Sequence, residues 1–283
     1  ARGPSRRCLE CRRHALTRPV DQVLAVAVRA ARRAAAVITD ASRDLRRLPT
    51  FSKDQGDIAS AADEEAEQAI VATISAAFPD HAILGEESGA SPGLKGDSPY
   101  RWIIDPIDGT MNFVHGFPYY AVSIALAHGS ELTHAVVLDP SRDELFTAIK
   151  GRGAQLNDAT LRTSACTRLS DALVGTVVPT RKSPRLPRFL PIFNSLAERC
   201  TLRRAGACAL DMAYVAAGRL DGFFVTSLRA WDVAAGALLV TEAGGRVGDF
   251  AGGPDILRSQ EVIAAAPGIF NPLREAISAV DSR

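Results

Sequence analysis

The order of apolar and polar positions predicts two helices near the start of the chain. Apolar residues recur at three- and four-residue intervals between Leu24 and Ile38, with the arginines off that stripe, as in an amphipathic helix. A second helix is predicted from Asp63, because acidic residues occupy its first turn, an apolar stripe follows, and Pro79 stands just beyond its end. The polar stretch 53–57 between them is typical of a loop.

Beyond Ile83 the pattern changes to that of strands. Gly, Pro and Asp turns separate four β-rich runs, at residues 100–105, 121–128, 133–139 and 144–150. Several of these runs follow one another without a helix between them, so we expect a largely antiparallel sheet. From about residue 166 onward, strand and helix patterns alternate. The sequence therefore predicts an α+β fold, with an N-terminal part over 21–165 and a mixed α/β part over 166–283.

Composition narrows the class of protein. Hydrophobic residues make up 47% and charged residues 23% of the chain, as in ordinary globular proteins. No apolar run approaches the roughly 20 residues of a membrane span, so we expect no membrane association. Arginines interrupt the apolar stretch near the N-terminus, which argues against a secretory signal.

Charge is distributed unevenly. Residues 1–20 hold six arginines and one acid, which leaves 27 basic and 31 acidic residues in the rest of the chain, a net charge of −4. The tail lacks apolar periodicity, and we expect it to be disordered. A basic tail on a mildly acidic body is not typical of a nucleic-acid-binding domain.

The five cysteines are odd in number and scattered, which favours reduced thiols and a cytoplasmic location. Cys8 and Cys11, followed by His14, suggest a zinc site, but no second pair stands at finger spacing.

The strongest chemical signal is the segment 102–113. An apolar strand is predicted to end at Asp105 and to turn through Pro106, so that Asp108 and Thr110 stand at a helix start. Two carboxylates three residues apart across a tight turn can converge on a hard cation. The N–H groups of Gly109 and Thr110 would then face a phosphate at the helix N-terminus. The segment alone leaves an alternative open, in which Asp108 is a helix cap and Asp105 a turn residue.

Other acidic residues are candidates for the same site. Glu86 and Glu87 follow a short apolar strand, and a solvated loop is their alternative explanation. Asp232 opens an Ala-rich helix, and on local grounds a helix cap is the favoured explanation. Asp63 is equally well explained as a first-turn acid stabilised by the helix dipole.

Taken together, three motifs in order resemble the inositol monophosphatase family, within the lithium-sensitive, magnesium-dependent phosphatase superfamily. They are Gly85-Glu86-Glu87-Ser88, Asp105-Pro106-Ile107-Asp108-Gly109-Thr110 with Asn112-Phe113-Val114-His115, and Trp231-Asp232 with 241–245. The resemblance covers residues 21–280. It implies a layered α/β/α/β/α sandwich, a homodimer, and hydrolysis of a small phosphate monoester by metal-activated water in a direct in-line displacement.

The resemblance also implies roles for individual residues. A first Mg2+ would be held by Glu86, Asp105 and the carbonyl of Ile107, and a second by Asp105, Asp108 and Asp232, while Glu86 would help to hold a third. Thr110, hydrogen-bonded by Asp63, would orient the attacking water together with Glu86. The substrate would be bound by Asp108, by the N–H groups of Gly109 and Thr110, and by Gly206, Ala207 and Cys208. Glu87 would support the site from behind.

One departure concerns substrate choice. The family usually has a carboxylate at the position of Val225, where it contacts a substrate hydroxyl, and its absence puts selectivity for inositol monophosphate in question. Other substrates of the same fold remain alternatives, namely histidinol phosphate, fructose bisphosphate or a nucleotide 3′-phosphate. Some bacterial relatives also join a transcription antitermination complex with RNA polymerase-associated factors, and Arg203, Arg204 and Arg219 are candidates for such a surface.

Overall fold

Two alanine-rich helices pair at the start of the described chain. The protein is described by a computed structural model over residues 21–52 and 58–281. Helix α1 (Gln22–Ala41) begins at Asp21, whose carboxylate accepts hydrogen bonds from the N–H groups of Val23 and Leu24. Helix α2 (Ala61–Ala77) follows a two-stranded ribbon of β1 (Thr50–Ser52) and β2 (Ile58–Ser60). The predicted basic tail, the cysteine pair within it and the loop 53–57 lie outside the described residues.

The larger sheet is built from residues 82 to 160. Its strands are β3 (Ala82–Gly85), β4 (Gly89–Ser91), β5 (Tyr100–Asp108), β6 (Ala121–His128), β7 (Glu131–Asp139), β8 (Glu144–Ile149), β9 (Gly153–Leu156) and β10 (Ala159–Thr160). Their spatial order is β10-β9-β8-β7-β6-β5-β3-β4. Neighbouring strands run antiparallel except β3 and β5, which are parallel. A short helix, α3 (Thr110–Val114), follows β5.

The smaller sheet comes from the second half of the chain. Its strands are β11 (Leu173–Thr176), β12 (Thr201–Arg203), β13 (Gly222–Val225), β14 (Arg246–Gly248) and β15 (Val262–Ala265), in the order β12-β11-β13-β15-β14. The helices of this half are α4 (Leu186–Ala197), α5 (Cys208–Ala216), α6 (Ala230–Glu242), α7 (Ile256–Ser259) and α8 (Pro267–Asp281). Strand β11 lies parallel to both of its neighbours, and the other pairs are antiparallel, so the sheet is mixed.

The helices and sheets form five layers. Helices α1 and α2 pack on one face of the larger sheet, and their alanines allow close approach. Helices α5 and α6 fill the space between the two sheets, and α4 with α8 covers the far face of the smaller one. The predicted α+β sandwich, with an antiparallel first sheet and a mixed second one, is confirmed. In the described part of the chain, no helix is long and apolar enough to cross a membrane.

The strand that carries the main acidic motif is longer than the sequence predicted. The prediction that it ends at Asp105 is wrong, because β5 continues to Asp108. Asp105 pairs with Ser123 and Asp108 with Ala121, so the register against β6 shifts by one residue between them. Such a bulge accommodates Pro106, which has no N–H to donate to a regular ladder, and it redirects the side chains that follow.

Candidate functional site

Two adjacent parallel strands bring the first two acids together. Strands β3 and β5 end at the same edge of the sheet, and Glu86 directly follows β3. The N–H of Glu86 donates to the carbonyl of Ile104 at 3.1 Å, which extends the ladder by one residue. Glu86 and Asp105 therefore lie side by side, close enough for the charge of Glu86 to act on Asp105.

Asp232 joins them from the other half of the chain. One carboxylate oxygen from each of Asp105, Asp108 and Asp232 lies within 4.8 Å of the others. Asp105 and Asp108 are buried, and Asp232 is partly exposed. The same three acids were expected to share one ion, so the structure brings this predicted set together. Glu86 and the backbone around Ile107 line the same cleft.

The burial of Asp105 and the acids around it favour the binding of a cation. Its side chain is 1% exposed, and burial raises its pKa well above the ordinary value, assisted by the charges of Glu86, Asp108 and Asp232. No donor among the described residues reaches its Oδ1 atom. A buried cluster of carboxylate oxygens fits a hard divalent ion.

Asp108 has a second set of partners. Its carboxylate accepts hydrogen bonds from the N–H groups of Cys208 at 2.9 Å and Ala209 at 2.7 Å, and a longer one from Leu210. Burial nevertheless raises its pKa to about 7. The alternative that Asp108 is a helix cap therefore holds in part, but the capped helix is α5, a hundred residues away.

Asp63 and Thr110 form a buried pair. The Thr110 hydroxyl donates to Asp63 Oδ1 at 2.8 Å and lies 3.1 Å from the carbonyl oxygen of Ile107. The other oxygen of Asp63 accepts from the N–H and the hydroxyl of Ser60 at the start of α2. Asp63 is therefore both the first-turn acid suggested by its position and the partner of Thr110.

Asp232 combines two roles in the same way. It lies in the first turn of α6, and its Oδ2 accepts from the N–H of Arg229 at 2.7 Å. The local prediction of a helix cap is consistent with this bond, although the cap position itself is occupied by Arg229. The acid also belongs to the cluster with Asp105 and Asp108.

The acids line a cleft of about 350 Å³. Gly109 and Thr110 also line it, and Gly109 has a left-handed backbone, with φ of +96°. A Cβ on Gly109 would lie 3.1 Å from the carbonyl oxygen of Tyr119 and 3.2 Å from that of Gly206, so both conformation and space require glycine here. Gly109 directly follows Asp108 in the chain, so this turn lies beside the acids.

The substrate contacts expected from the resemblance are only partly at the surface of the cleft. Gly206 and Cys208 line it, whereas Ala207 and Val225 do not and are 0% and 1% exposed. Val225 packs in the core among α5 and α6. Burial, together with the neighbouring carboxylates, raises the pKa of the Cys208 thiol well above its ordinary value, so it is no candidate nucleophile.

Sequence reasoning missed several residues that shape the site. Glu67 on α2 accepts hydrogen bonds from two N–H groups of the segment after β3. Asn112 belongs to a matching motif, but its role was not predicted: its amide donates to the carbonyls of Tyr119 and Ala205. The cleft is also lined by Val177, Val178, Pro179, Thr180, Ser183, Ser227, Leu228, Arg229 and Gln260. No local pattern marks these positions, since the loops that carry them meet only in the fold.

Two residues of the matching motifs lie away from the cleft. His115 is exposed and is not among the residues that line it. Glu242, near the end of α6, accepts hydrogen bonds from the N–H groups of Gly151 and Gly153 at 2.7 and 2.8 Å. It ties the turn between β8 and β9 to α6, which is a structural contact.

Comparison with known proteins agrees with this geometry. A relative described as Nus factor SuhB, from Pseudomonas aeruginosa, is 47% identical over 264 residues, which cover 91% of this chain and 96% of that protein. An inositol-1-monophosphatase of Mesorhizobium japonicum is 43% identical over 256 residues, with 90% and 96% covered. The crystal structure of extragenic suppressor protein suhB from Bartonella henselae matches with a TM-score of 0.88 at 41% identity, over 91% of this chain and 98% of that one.

The sequence model of the inositol monophosphatase family matches residues 19–280, nearly the whole described chain. The family is metal-dependent, in keeping with the acidic cluster of Asp105, Asp108 and Asp232. The chain therefore belongs to the inositol monophosphatase family.

Proposed function

We propose that this protein is a Mg2+-dependent phosphatase that hydrolyses inositol monophosphate or a related polyol or sugar phosphate. The observation that carries the proposal is the position of the three clustered acids beside the Gly109–Thr110 turn. Carboxylates that can hold a cation and N–H groups that can hold a phosphate open into one cleft. The inositol-1-monophosphatase of Mesorhizobium japonicum, 43% identical, supports the choice of substrate class.

The residues divide the work between them. Glu86, Asp105, the Ile107 carbonyl, Asp108 and Asp232 would hold two Mg2+ ions, and Glu86 would help with a third. Bound Mg2+ would supply a lowered pKa for the attacking water and charge stabilisation for the leaving oxygen. Asp63 holds the Thr110 hydroxyl at 2.8 Å, and Thr110 would orient the water together with Glu86. The N–H groups of Gly109 and Thr110 would bind the phosphoryl oxygens.

The substrate's organic part would contact Gly206 and Cys208, with Ala207 behind them. Around that end, Thr180, Ser183, Ser227 and Gln260 offer neutral polar groups. Val225 is buried outside the cleft and offers no acceptor to a polyol hydroxyl, so we propose broad specificity rather than strict selection of inositol. The family alternatives, histidinol phosphate, fructose bisphosphate and nucleotide 3′-phosphates, belong in the same substrate panel.

The test is Asp105→Asn in the full chain, with a panel of phosphate monoesters and saturating Mg2+. Losing this charge should cost several kcal/mol of transition-state stabilisation, or about a thousandfold in rate. The variant should fold well in chelator, because asparagine removes a buried charge, but its melting temperature should no longer rise with Mg2+. Asp97→Asn makes the same chemical change at an exposed position and should be neutral. Retention of a tenth of wild-type turnover by folded Asp105→Asn would refute the assignment.

A second function is supported by the relatives named Nus factor SuhB, which are 42–47% identical over most of the chain. We propose that this protein also binds RNA polymerase-associated factors. Of the candidate arginines, Arg219 already pairs with Glu144 through two hydrogen bonds of 2.6 Å and is a poor choice for a binding surface. A pull-down with purified transcription factors should recover them equally with wild type and Asp105→Asn. If neither the wild type nor Asp105→Asn recovered these factors, the second function would be refuted and the proposed phosphatase activity would be unaffected.

A further inference from the structure

A buried glutamate on α2 contacts the segment that carries Glu86. Glu67 is 2% exposed, and its two carboxylate oxygens accept hydrogen bonds from the N–H groups of Glu87 at 2.9 Å and Ser88 at 2.7 Å. A carboxylate is matched to this task, since it offers acceptors on both oxygens. The two N–H groups follow Glu86 directly in the chain, so the bonds restrain the backbone on which Glu86 stands.

The same helix face supports the other half of the site. Asp63 and Glu67 are four residues apart on α2 and therefore lie on one face, one turn from each other. Asp63 holds Thr110, and Glu67 holds the segment 86–88. Helix α2 thus carries two buried acids, one directed to the turn after β5 and the other to the turn after β3.

The glycine before Glu86 makes room for this carboxylate. A Cβ on Gly85 would lie 2.6 Å from the carboxylate atoms of Glu67. Gly85 has no positive φ, so its backbone would accept another residue, and the space taken by Glu67 is what requires glycine. The glycine of the Gly85-Glu86-Glu87-Ser88 motif is therefore explained by a contact with α2.

We propose that Glu67 is a positioning residue, which holds the segment 86–88 so that Glu86 reaches the acidic cluster and completes the Mg2+ site. The proposal rests on the metal binding that the proposed function requires. Glu67 is not among the residues that line the cleft, and it acts through the backbone of its neighbours. Groups that orient metal ligands in this way typically change metal affinity by about 10- to 100-fold when they are replaced.

The experiment measures Mg2+ binding by calorimetry in the full chain, with Mg2+ itself as the probe. Glu67→Gln keeps the size of the side chain but turns an NH2 group towards one of the two N–H groups. Gly85→Ala keeps the glutamate at position 67, but the added methyl group displaces the Glu67 carboxylate from its hydrogen-bonding position. Both should raise the Mg2+ dissociation constant about tenfold. Because both act through the same bonds, the double variant should be little worse than either single one.

Glu64→Gln is the matched control, since Glu64 lies exposed on the same helix. It should leave Mg2+ affinity within twofold of wild type. Unchanged affinity in folded Glu67→Gln, with only a lower melting temperature, would show a purely structural role and overturn the inference. If Glu67→Gln does not fold, the Mg2+ affinity of Gly85→Ala tests the inference in its place, and an unchanged affinity in that variant would overturn it. A wild type that binds Mg2+ but hydrolyses no ester would refute the phosphatase proposal and leave this inference standing.

Discussion

At the scale of single residues, two buried threonines, Thr176 at the end of β11 and Thr226 just after β13, differ in one hydrogen bond. Thr176 and Thr226 are both 0% exposed. The hydroxyl of Thr176 donates to the carbonyl of Phe224 at 2.8 Å, while that of Thr226 has no partner among the described residues. An unsatisfied buried hydroxyl costs about 1–3 kcal/mol, whereas a satisfied one contributes about 1 kcal/mol. The difference has a measurable consequence.

Replacement of each threonine by valine keeps the shape and removes the hydroxyl. Thr226→Val should raise the free energy of unfolding by about 1 kcal/mol, because it removes a polar group that gains nothing from burial. Thr176→Val should lower it by about the same amount, since the Phe224 carbonyl loses its donor. Thermal unfolding should show shifts of about 2–4 °C in opposite directions. A decrease with Thr226→Val would mean that its hydroxyl has a partner in solution.

At the scale of elements, helices α2, α5 and α6 all begin at the site. Asp63 lies in the first turn of α2, Asp232 lies in the first turn of α6, and Asp108 accepts the N–H groups at the start of α5. The partial positive charge of a helix N-terminus stabilises a nearby anion. These three helix starts therefore offset part of the repulsion among the crowded carboxylates.

The elements also show what the sequence could predict. The helix starts near Asp63 and Asp232 are local patterns and were visible, as was strand β6, whose predicted bounds the structure reproduces. The contact of Asp108 with α5 spans a hundred residues, and nothing near Asp108 indicates it. Glu67 was missed because its neighbours Glu64 and Glu65 are the same residue type, and only burial separates them. The family resemblance supplied what local patterns could not, since ordered motifs carry long-range information.

At the scale of the whole molecule, both halves of the chain contribute to the site and to one core. Asp105 and Asp108 come from the larger sheet, and Asp232 comes from α6. One hydrophobic cluster joins residues of the larger sheet, such as Phe146, to α5, α6 and residues of the smaller sheet, such as Phe223. The division near residue 165 stays a prediction about folding units, and it has a direct test.

The two tryptophans allow that test. Trp102 lies on the larger sheet under α2, and Trp231 lies at the start of α6, against the shared core. Trp231→Phe keeps Trp102 as the fluorescent residue, and Trp102→Phe keeps Trp231. In each variant, the urea unfolding transition followed by fluorescence should coincide with the transition followed by circular dichroism, because the shared core makes unfolding cooperative. Separate midpoints would show that the halves unfold independently.

Mg2+ at 100 times its dissociation constant should add about 2.7 kcal/mol to the free energy of unfolding measured with either tryptophan. It should do so for the ion proposed to bind Asp105, Asp108 and Asp232, because these acids come from both halves of the chain and loss of either half would release it.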